Sequence, residues 1–187
     1  VAHKLGDDTA VRMGRLSLDP RSHLDPLGSL MILVAGFGWG KPVPVNPYRL
    51  RKGRIGMALV SLAGPCSNIF IAALFSIPFQ LGLLVVPPDW FYPEFQLSYL
   101  LAYIIQMTIF LNVVLAVFNL LPLAPLDGAS VALGLAPKRF IPVLYRLQAV
   151  GPALLIGIIF LDLFLNMGIL WRITGPVVHW LAALLMS

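Results

Sequence analysis

The sequence predicts an all-α, polytopic membrane protein, and three features support this fold class. First, 59% of the 187 residues are hydrophobic and 11% are charged, whereas soluble domains are about 25% charged. Second, four apolar stretches are long enough to cross a bilayer, which takes roughly 20 residues as a helix. Third, the basic residues cluster in the loops between these stretches, as the positive-inside rule expects.

The boundaries of the predicted spans follow from the breaks between apolar stretches. They run from about Gly56 to Val86, Leu97 to Leu121, Ile141 to Asn166 and Ile169 to Met186. The apolar core of Ser29–Gly40 is too short to cross a bilayer, and its glycine-rich end disfavours a helix. We therefore expect about four transmembrane helices and one short membrane-associated hairpin or re-entrant region. The predicted regions are a membrane-associated region (1–55), a transmembrane core (56–136) and a C-terminal helix pair (137–187).

The charges of the loops predict the orientation of the chain. Loops 41–54 and 137–146 are basic and loop 87–96 is acidic, so the basic loops are expected in the cytoplasm. This predicts a multi-pass integral protein of an inner or plasma membrane, in contact with anionic lipid. The single cysteine, Cys66, excludes an internal disulfide and a multi-cysteine metal cluster. Aromatic residues are not interleaved with the basic clusters, so no nucleic-acid partner is expected.

Asp127 is the first candidate for a functional residue. It ends the stretch FNLLPLAPLDG (118–128), which follows the second predicted span and contains two prolines and a glycine. A carboxylate at membrane depth is costly and faces protein or water. Irregular backbone at that depth is tolerated only where it is buried or lines a cavity. The pattern indicates a metal, proton or substrate site, and the alternative is a simple helix cap at the water boundary.

Asn68 is the second candidate. It follows Gly64-Pro65-Cys66-Ser67 in the first predicted span, where small residues allow close approach of another helix. Its amide can both donate and accept hydrogen bonds. From the pattern alone, a packing kink with an interhelical hydrogen bond is as good an interpretation as a substrate-binding amide in the same cavity as Asp127.

The histidines do not supply a complete zinc site by themselves. A catalytic zinc ion takes about three protein ligands and leaves one position for water. The chain has His3, His23 and His179, no two of them four residues apart, and its one glutamate is Glu94 in the acidic loop. We interpret His23 as structural and His179 as a helix-packing residue.

Three segments together resemble the site-2 protease family of intramembrane zinc metalloproteases. They are FGWGKPVPVNPYRLR (37–51), GPCSN (64–68) and FNLLPLAPLDG (118–128), in the family's order and spacing. The resemblance covers about residues 1–135 and is nearest to the compact bacterial branch without a PDZ domain. It implies that Asp127 is a Zn²⁺ ligand and that Asn68 lies near the substrate. It also implies an H-E-x-x-H helix, with two histidine ligands and a glutamate base, before Val1.

The sequence departs from the family at three points. Ala124 and Ala129 stand where proline and glycine are common, and the H-E-x-x-H motif is not in these 187 residues. Because the chain begins with Val1 rather than methionine, we expect it to start inside a longer protein.

The resemblance makes the leading hypothesis an intramembrane zinc endopeptidase that cleaves transmembrane helices. Substrate could add as an extended strand along 36–47. One alternative is an inactive relative that serves as a structural or adaptor subunit of a membrane complex. A second is a small transporter, which would gain support if Asp162 paired with Asp127.

Overall fold

The computed structural model describes residues 1–17, 19–35, 40–85 and 97–186. The chain divides into two compact units, residues 1–60 and 61–187, and each is described by itself. The acidic loop 87–96 and the glycine-rich residues 36–39 lie outside the described residues. Predictions that fall on these two segments therefore stay predictions.

The fold class predicted from the sequence is confirmed. The described residues contain four helices that are long and apolar enough to cross a membrane. Seven α-helices are described in all: α1 (Thr9–Arg12), α2 (Pro26–Ala35), α3 (Gly53–Gln80), α4 (Leu97–Asn119), α5 (Asp127–Leu135), α6 (Ile141–Leu165) and α7 (Ile169–Met186).

Helix α3 ends at Gln80, six residues before the predicted end of the first span. Gly82 adopts a left-handed backbone conformation with φ of +68°. Its N–H donates to the carbonyl of Phe79, and the N–H of Leu83 donates to that of Pro78, both at 2.9 Å. This pair of bonds is the Schellman termination, which favours glycine at the left-handed position. The sequence signal was present in Gly82, but hydropathy alone extended the span beyond it.

The first unit is organised around the carboxylate of Asp7, which is 1% exposed. It accepts hydrogen bonds from the hydroxyl of Thr9 at 2.5 Å and from the N–H of Asn46 at 2.7 Å. A further bond joins the N–H of Arg51 to the carbonyl of Leu5 at 2.9 Å. These bonds join the start of the chain to the segment before α3. The hydrogen bonds from Thr9 and Asn46 hold the pKa of the Asp7 carboxyl below its usual value.

The apolar segment before residue 40 begins as a helix rather than as a hairpin. Pro26 is the first residue of α2, and the carboxylate of Asp25 accepts the N–H of Gly28 at 2.9 Å. An aspartate N-cap followed by proline is a strong helix start. The first part of the segment predicted as a hairpin or re-entrant region, from Ser29 to Ala35, is therefore helical. Beyond the helix, Gly40 pairs with Leu24 as an isolated antiparallel bridge, which brings the two ends of the segment together.

The core of the second unit lies where α3, α4 and α7 meet. Its buried members are Ala72, Phe79, Ala102, Ile109, Val113 and Val178. In contrast, α6 leaves most of its large apolar side chains exposed. Such a surface is expected of a helix that faces lipid, because lipid tails are as apolar as the side chains.

The directions of α3 and α7 differ from strict alternation of the four spans. The side-chain amide of Gln80, at the end of α3, donates to the carbonyl of Leu185, near the end of α7, at 3.1 Å. The last turns of α3 and α7 therefore lie together. Alternation places the ends of the first and fourth spans on opposite sides of the membrane. This contact therefore does not support the predicted alternation for the last helix pair. The cytoplasmic location of the basic loops stays a prediction.

Candidate functional site

Asp127 is the first residue of α5, and its side chain is partly buried. The preceding residue, Leu126, is extended with φ of −72° and ψ of 155°. The second predicted span ends as a helix at Asn119, whose amide donates to the carbonyl of Leu115 at 2.9 Å. Between these two helices the backbone is a series of turns and bends. The carboxylate thus stands where a long helix is broken and a short one begins, as the prolines and glycine predicted.

Two glycines let this connecting segment pack closely. A β-carbon on Gly128 would lie 2.2 Å from the carbonyl oxygen of Leu120 and 2.3 Å from that of Leu121. A β-carbon on Gly151, in α6, would lie 2.8 Å from the β-carbon of Ala124. Neither glycine could gain a side chain without movement of backbone atoms. The segment that presents Asp127 is therefore held between α5 and α6, and the glycines position the carboxylate through the backbone.

The carboxylate of Asp127 faces α3. The buried hydroxyl of Ser61 is hydrogen-bonded to it. A β-carbon on Gly64 would lie 3.2 Å from its Oδ2 atom. Ser61, Gly64 and Asn68 are spaced three and four residues apart, so they share one face of α3. Asn68, which is partly buried, follows Gly64 on that face by one turn. The two candidates from the sequence, Asp127 and Asn68, are thus associated with the same helix face.

An apolar cavity of about 280 Å³, open to the surface of the chain, adjoins this segment. Helix α3 contributes Ile69, the neighbour of Asn68 along the chain, and α7 contributes Val177 and Leu181. The other walls come from the end of α4 and from the turn that follows it, residues 116–117 and 120–122. Sequence reasoning did not find this cavity, because its walls come from three helices that no local pattern brings together.

The three histidines lie in other environments. The Nδ1 atom of His3 lies 2.6 Å from a carboxylate oxygen of Asp8, and the Nε2 atom of His23 lies 2.7 Å from the carbonyl oxygen of Ser17. The ring of His179 makes an edge contact with Trp171, with 5.5 Å between centroids. These contacts agree with structural roles for His23 and His179.

The described residues do not complete a zinc site. Nowhere in the described ranges do three or more His, Cys, Asp or Glu side chains form a group that could hold a metal ion. Asp127 supplies one carboxylate, and a catalytic zinc ion takes about three protein ligands. A metal at Asp127 would need ligands from residues other than the described ones.

Asp162 does not take part in this site. Its carboxylate accepts the N–H of Ile169 at 2.6 Å and the N–H of Leu170 at 2.9 Å. Both oxygens therefore cap the start of α7, where a carboxylate also interacts well with the helix dipole. The pairing with Asp127 that would support a transporter is replaced by this cap.

Ser61, Gly151 and Ala124 are the residues of the site whose roles sequence reasoning did not identify. Gly64 was noted only as one of the small residues that allow close helix packing, and Ser61 was not singled out. The structure adds that the atom packed against them belongs to the Asp127 carboxylate. Gly151 gave no signal, because a glycine in an apolar helix does not reveal which segment approaches it.

Fold and site together define a multi-pass membrane protein with a partly buried carboxylate at a helix break. Over 166 residues the chain is 42% identical to the protein named "Putative zinc metalloprotease YwhC" of Bacillus subtilis (strain 168). The match covers 89% of this chain and 72% of the Bacillus protein. The chain belongs to the metalloprotease family of that protein. No protein-family model matches the chain, and no solved structure does.

Proposed function

We propose that this chain is the core of an intramembrane zinc endopeptidase of the site-2 protease type. The observation that carries the proposal is the position of Asp127, at the start of α5 and against the Ser61–Gly64 face of α3. The Bacillus relative named as a zinc metalloprotease supports the metal and the reaction class. The four apolar helices support a location within the membrane.

Asp127 contributes one ligand to the proposed metal site. The other two ligands are histidines, and the general base is a glutamate, of an H-E-x-x-H helix that precedes Val1 in the complete protein. This part of the proposal rests on the resemblance of the three sequence segments, because the described residues do not complete the ligand set.

The residues of this chain have separate roles in the proposed reaction. Ser61 and Gly64 fix the direction of the Asp127 carboxylate, the first by a hydrogen bond and the second by leaving room for Oδ2. The amide of Asn68 binds the carbonyl of the scissile peptide, since it can donate to an oxygen that gains charge. Bound in this way, the carbonyl would be held next to the face of α3 that carries Asp127.

The proposed substrate is a transmembrane segment that unwinds where it is cut. A peptide bond inside a helix has its carbonyl engaged in the helical hydrogen bond, so it must be extended before Asn68 can reach it. An extended segment could pair with residues 36–47, of which residues 41–46 have no helical structure. Substituting Val43→Pro and Val45→Pro tests this pairing, and unchanged cleavage would exclude it.

The proposed environment is a bacterial inner or plasma membrane with the basic loops in the cytoplasm. Membrane lipids and a transmembrane substrate are the proposed partners. The one observation that favours the adaptor alternative is that the described residues do not complete a set of metal ligands. Against it, the name of the Bacillus relative is that of an enzyme.

Cleavage by the complete protein in lipid vesicles tests the proposal. The substrate is a transmembrane peptide whose fluorescence rises when it is cut at its centre. We expect cleavage that a zinc chelator stops and added Zn²⁺ restores. Asp127→Asn should abolish it, whereas Asp162→Asn, at the carboxylate that caps α7, should leave most of it. Equal activity of the wild type and the Asp127→Asn variant would exclude the proposed role of Asp127.

A further inference from the structure

We propose that the 280 Å³ cavity between α3, α4 and α7 binds one large apolar side chain of the substrate, next to the bond that is cut. This inference rests on the proposed function and names the substrate preference of the same site. It assigns specificity to residues of α7, which neither the sequence pattern nor the family resemblance singles out.

The cavity is built from the segments that form the candidate site. Ile69 follows Asn68 directly in the chain, and both belong to α3. Leu120 and Leu121 line the cavity with part of their surface, and their carbonyl oxygens lie against Gly128, the neighbour of Asp127. The wall of the cavity thus contains chain neighbours of Asn68 and of the segment that presents Asp127, and on this basis we place the bound side chain beside the peptide bond that is cut.

The size and chemistry of the cavity suit a large apolar side chain. Its eight lining residues are all aliphatic or proline, so they offer no side-chain partner for a polar group. An engineered cavity of about 150 Å³ lined by apolar residues binds benzene. A cavity of 280 Å³ has room for the ring of phenylalanine or for a leucine or methionine side chain.

Burial of such a side chain also fits a substrate that must unwind. Extending part of a transmembrane helix exposes its side chains to surroundings more polar than lipid and breaks the hydrogen bonds of the helix. Burying one large apolar side chain in the enzyme is favourable and offsets part of that cost. Alanine or glycine at the same substrate position would gain little from it.

Disulfide trapping measures the binding separately from cleavage. The complete protein carries Cys66→Ser and Asp127→Asn, so it has no native cysteine of this chain and no active site. Val177→Cys lies in the cavity wall and Ile173→Cys lies one turn earlier on α7, outside the wall. The probe is a leucine–alanine transmembrane peptide with a central glycine pair and one cysteine beside it.

With a mild oxidant added to accept the two electrons, we expect the peptide to form a disulfide with Val177→Cys at least about ten times faster than with Ile173→Cys. Equal rates at the two positions, or no disulfide at Val177→Cys, would overturn the proposal. The second result is also the one expected if a lipid chain fills the cavity.

Cleavage specificity gives the second readout, with Asp127 restored. The wild-type protein should cut a peptide with phenylalanine beside the glycine pair at least about ten times better than one with alanine, measured as kcat/KM. Val177→Phe fills the cavity and should remove this preference by slowing the phenylalanine peptide alone. Ile173→Phe is the matched control and should preserve it.

The outcomes separate the two proposals. If Val177→Phe changes neither peptide, or slows both equally, the cavity proposal fails and the peptidase proposal stands. If the wild-type protein cuts neither peptide, the proposed function fails and the substrate preference fails with it.

Discussion

The space beside Gly64 is taken by the carboxylate of Asp127, so that a β-carbon on Gly64 would lie 3.2 Å from Oδ2. Real β-carbons rarely come so close to another atom, and the neighbour would have to move by a few tenths of an ångström. Gly64 of the segment GPCSN and Asp127 of the segment FNLLPLAPLDG therefore pack against each other.

The first prediction concerns the substitution Gly64→Ala. The added methyl group should turn the Asp127 carboxylate away from its direction in the wild type and lower kcat by about tenfold, because misplacement by about 1 Å can cost a hundredfold. Steady-state kinetics in vesicles measure it, with KM expected to change little. Gly157→Ala is the control, since a β-carbon there meets nothing within 4 Å. Equal kinetics for both variants would contradict the positioning role of Gly64.

The second prediction concerns the packing of α6 on the segment that carries Asp127. Gly151→Ala places a methyl group 2.8 Å from the β-carbon and 2.9 Å from the backbone nitrogen of Ala124. Overpacking of this kind costs about 1–3 kcal/mol, so the unfolding temperature in detergent should fall. Gly157→Ala, in the same helix, should leave it unchanged or raise it, since alanine favours helix over glycine by about 1 kcal/mol. A fall of equal size in both variants would point to a general effect of glycine replacement.

The third prediction is a pH dependence in the first unit. Because hydrogen bonds from Thr9 and Asn46 lower the pKa of the Asp7 carboxyl in the folded chain, ionised Asp7 stabilises the fold. That stabilisation is complete above the unfolded pKa, about 3.9, and is lost as the pH falls through the lower folded value. Residues 46–51 should therefore be protected from hydrogen exchange in detergent at pH 5, relative to the unfolded chain at the same pH. This protection should be lost below the lowered pKa.

The substitution Asp7→Asn completes this test. It should make exchange of residues 46–51 fast at every pH, because the neutral amide is a weaker acceptor for the N–H of Asn46. Asp19→Asn is the control: its carboxylate accepts the N–H of Arg21, two residues away, and should not affect the distant segment. Slow exchange at pH 5 in the Asp7→Asn variant would contradict the account of the first unit.

The fourth prediction follows from the bond between Gln80 and the carbonyl of Leu185. Because the last turns of α3 and α7 lie together, Val85→Cys and Met186→Cys should react with a membrane-impermeant thiol reagent from the same side of the membrane. Both variants carry Cys66→Ser. Labelling from opposite sides would support strict alternation of the four spans and contradict the packing of α7 described above.

Much of the fold could be predicted from hydropathy alone, because a bilayer fixes the length and composition of a spanning helix. Three of the four spans both begin and end within two residues of their predicted bounds. Local caps account for what hydropathy did not predict: the left-handed Gly82 ends α3 early, and Asp25 with Pro26 starts a helix that continues into the segment predicted as a hairpin or re-entrant region. The direction of α7 could not be predicted, since it depends on packing against α3 and α4.

The candidate site was predictable in part. Proline and glycine around Asp127 correctly indicated a broken helix end, because these residues interrupt the helical hydrogen bonds. The contact of Asp127 with Ser61 and Gly64 depends on the packing of α3 against the segment before α5. No spacing in the sequence encodes that distance. The cavity likewise arises only when three helices have packed.

The most direct test of the central claim is the zinc content of the complete protein, purified after equilibration with Zn²⁺ and dialysis. The account predicts one zinc ion per chain in the wild type and in Asp162→Asn, and a loss of most of it in Asp127→Asn. The wild-type ion should also return after chelation. Equal zinc content in the wild type and Asp127→Asn would contradict the claim that the carboxylate at the start of α5 is a metal ligand.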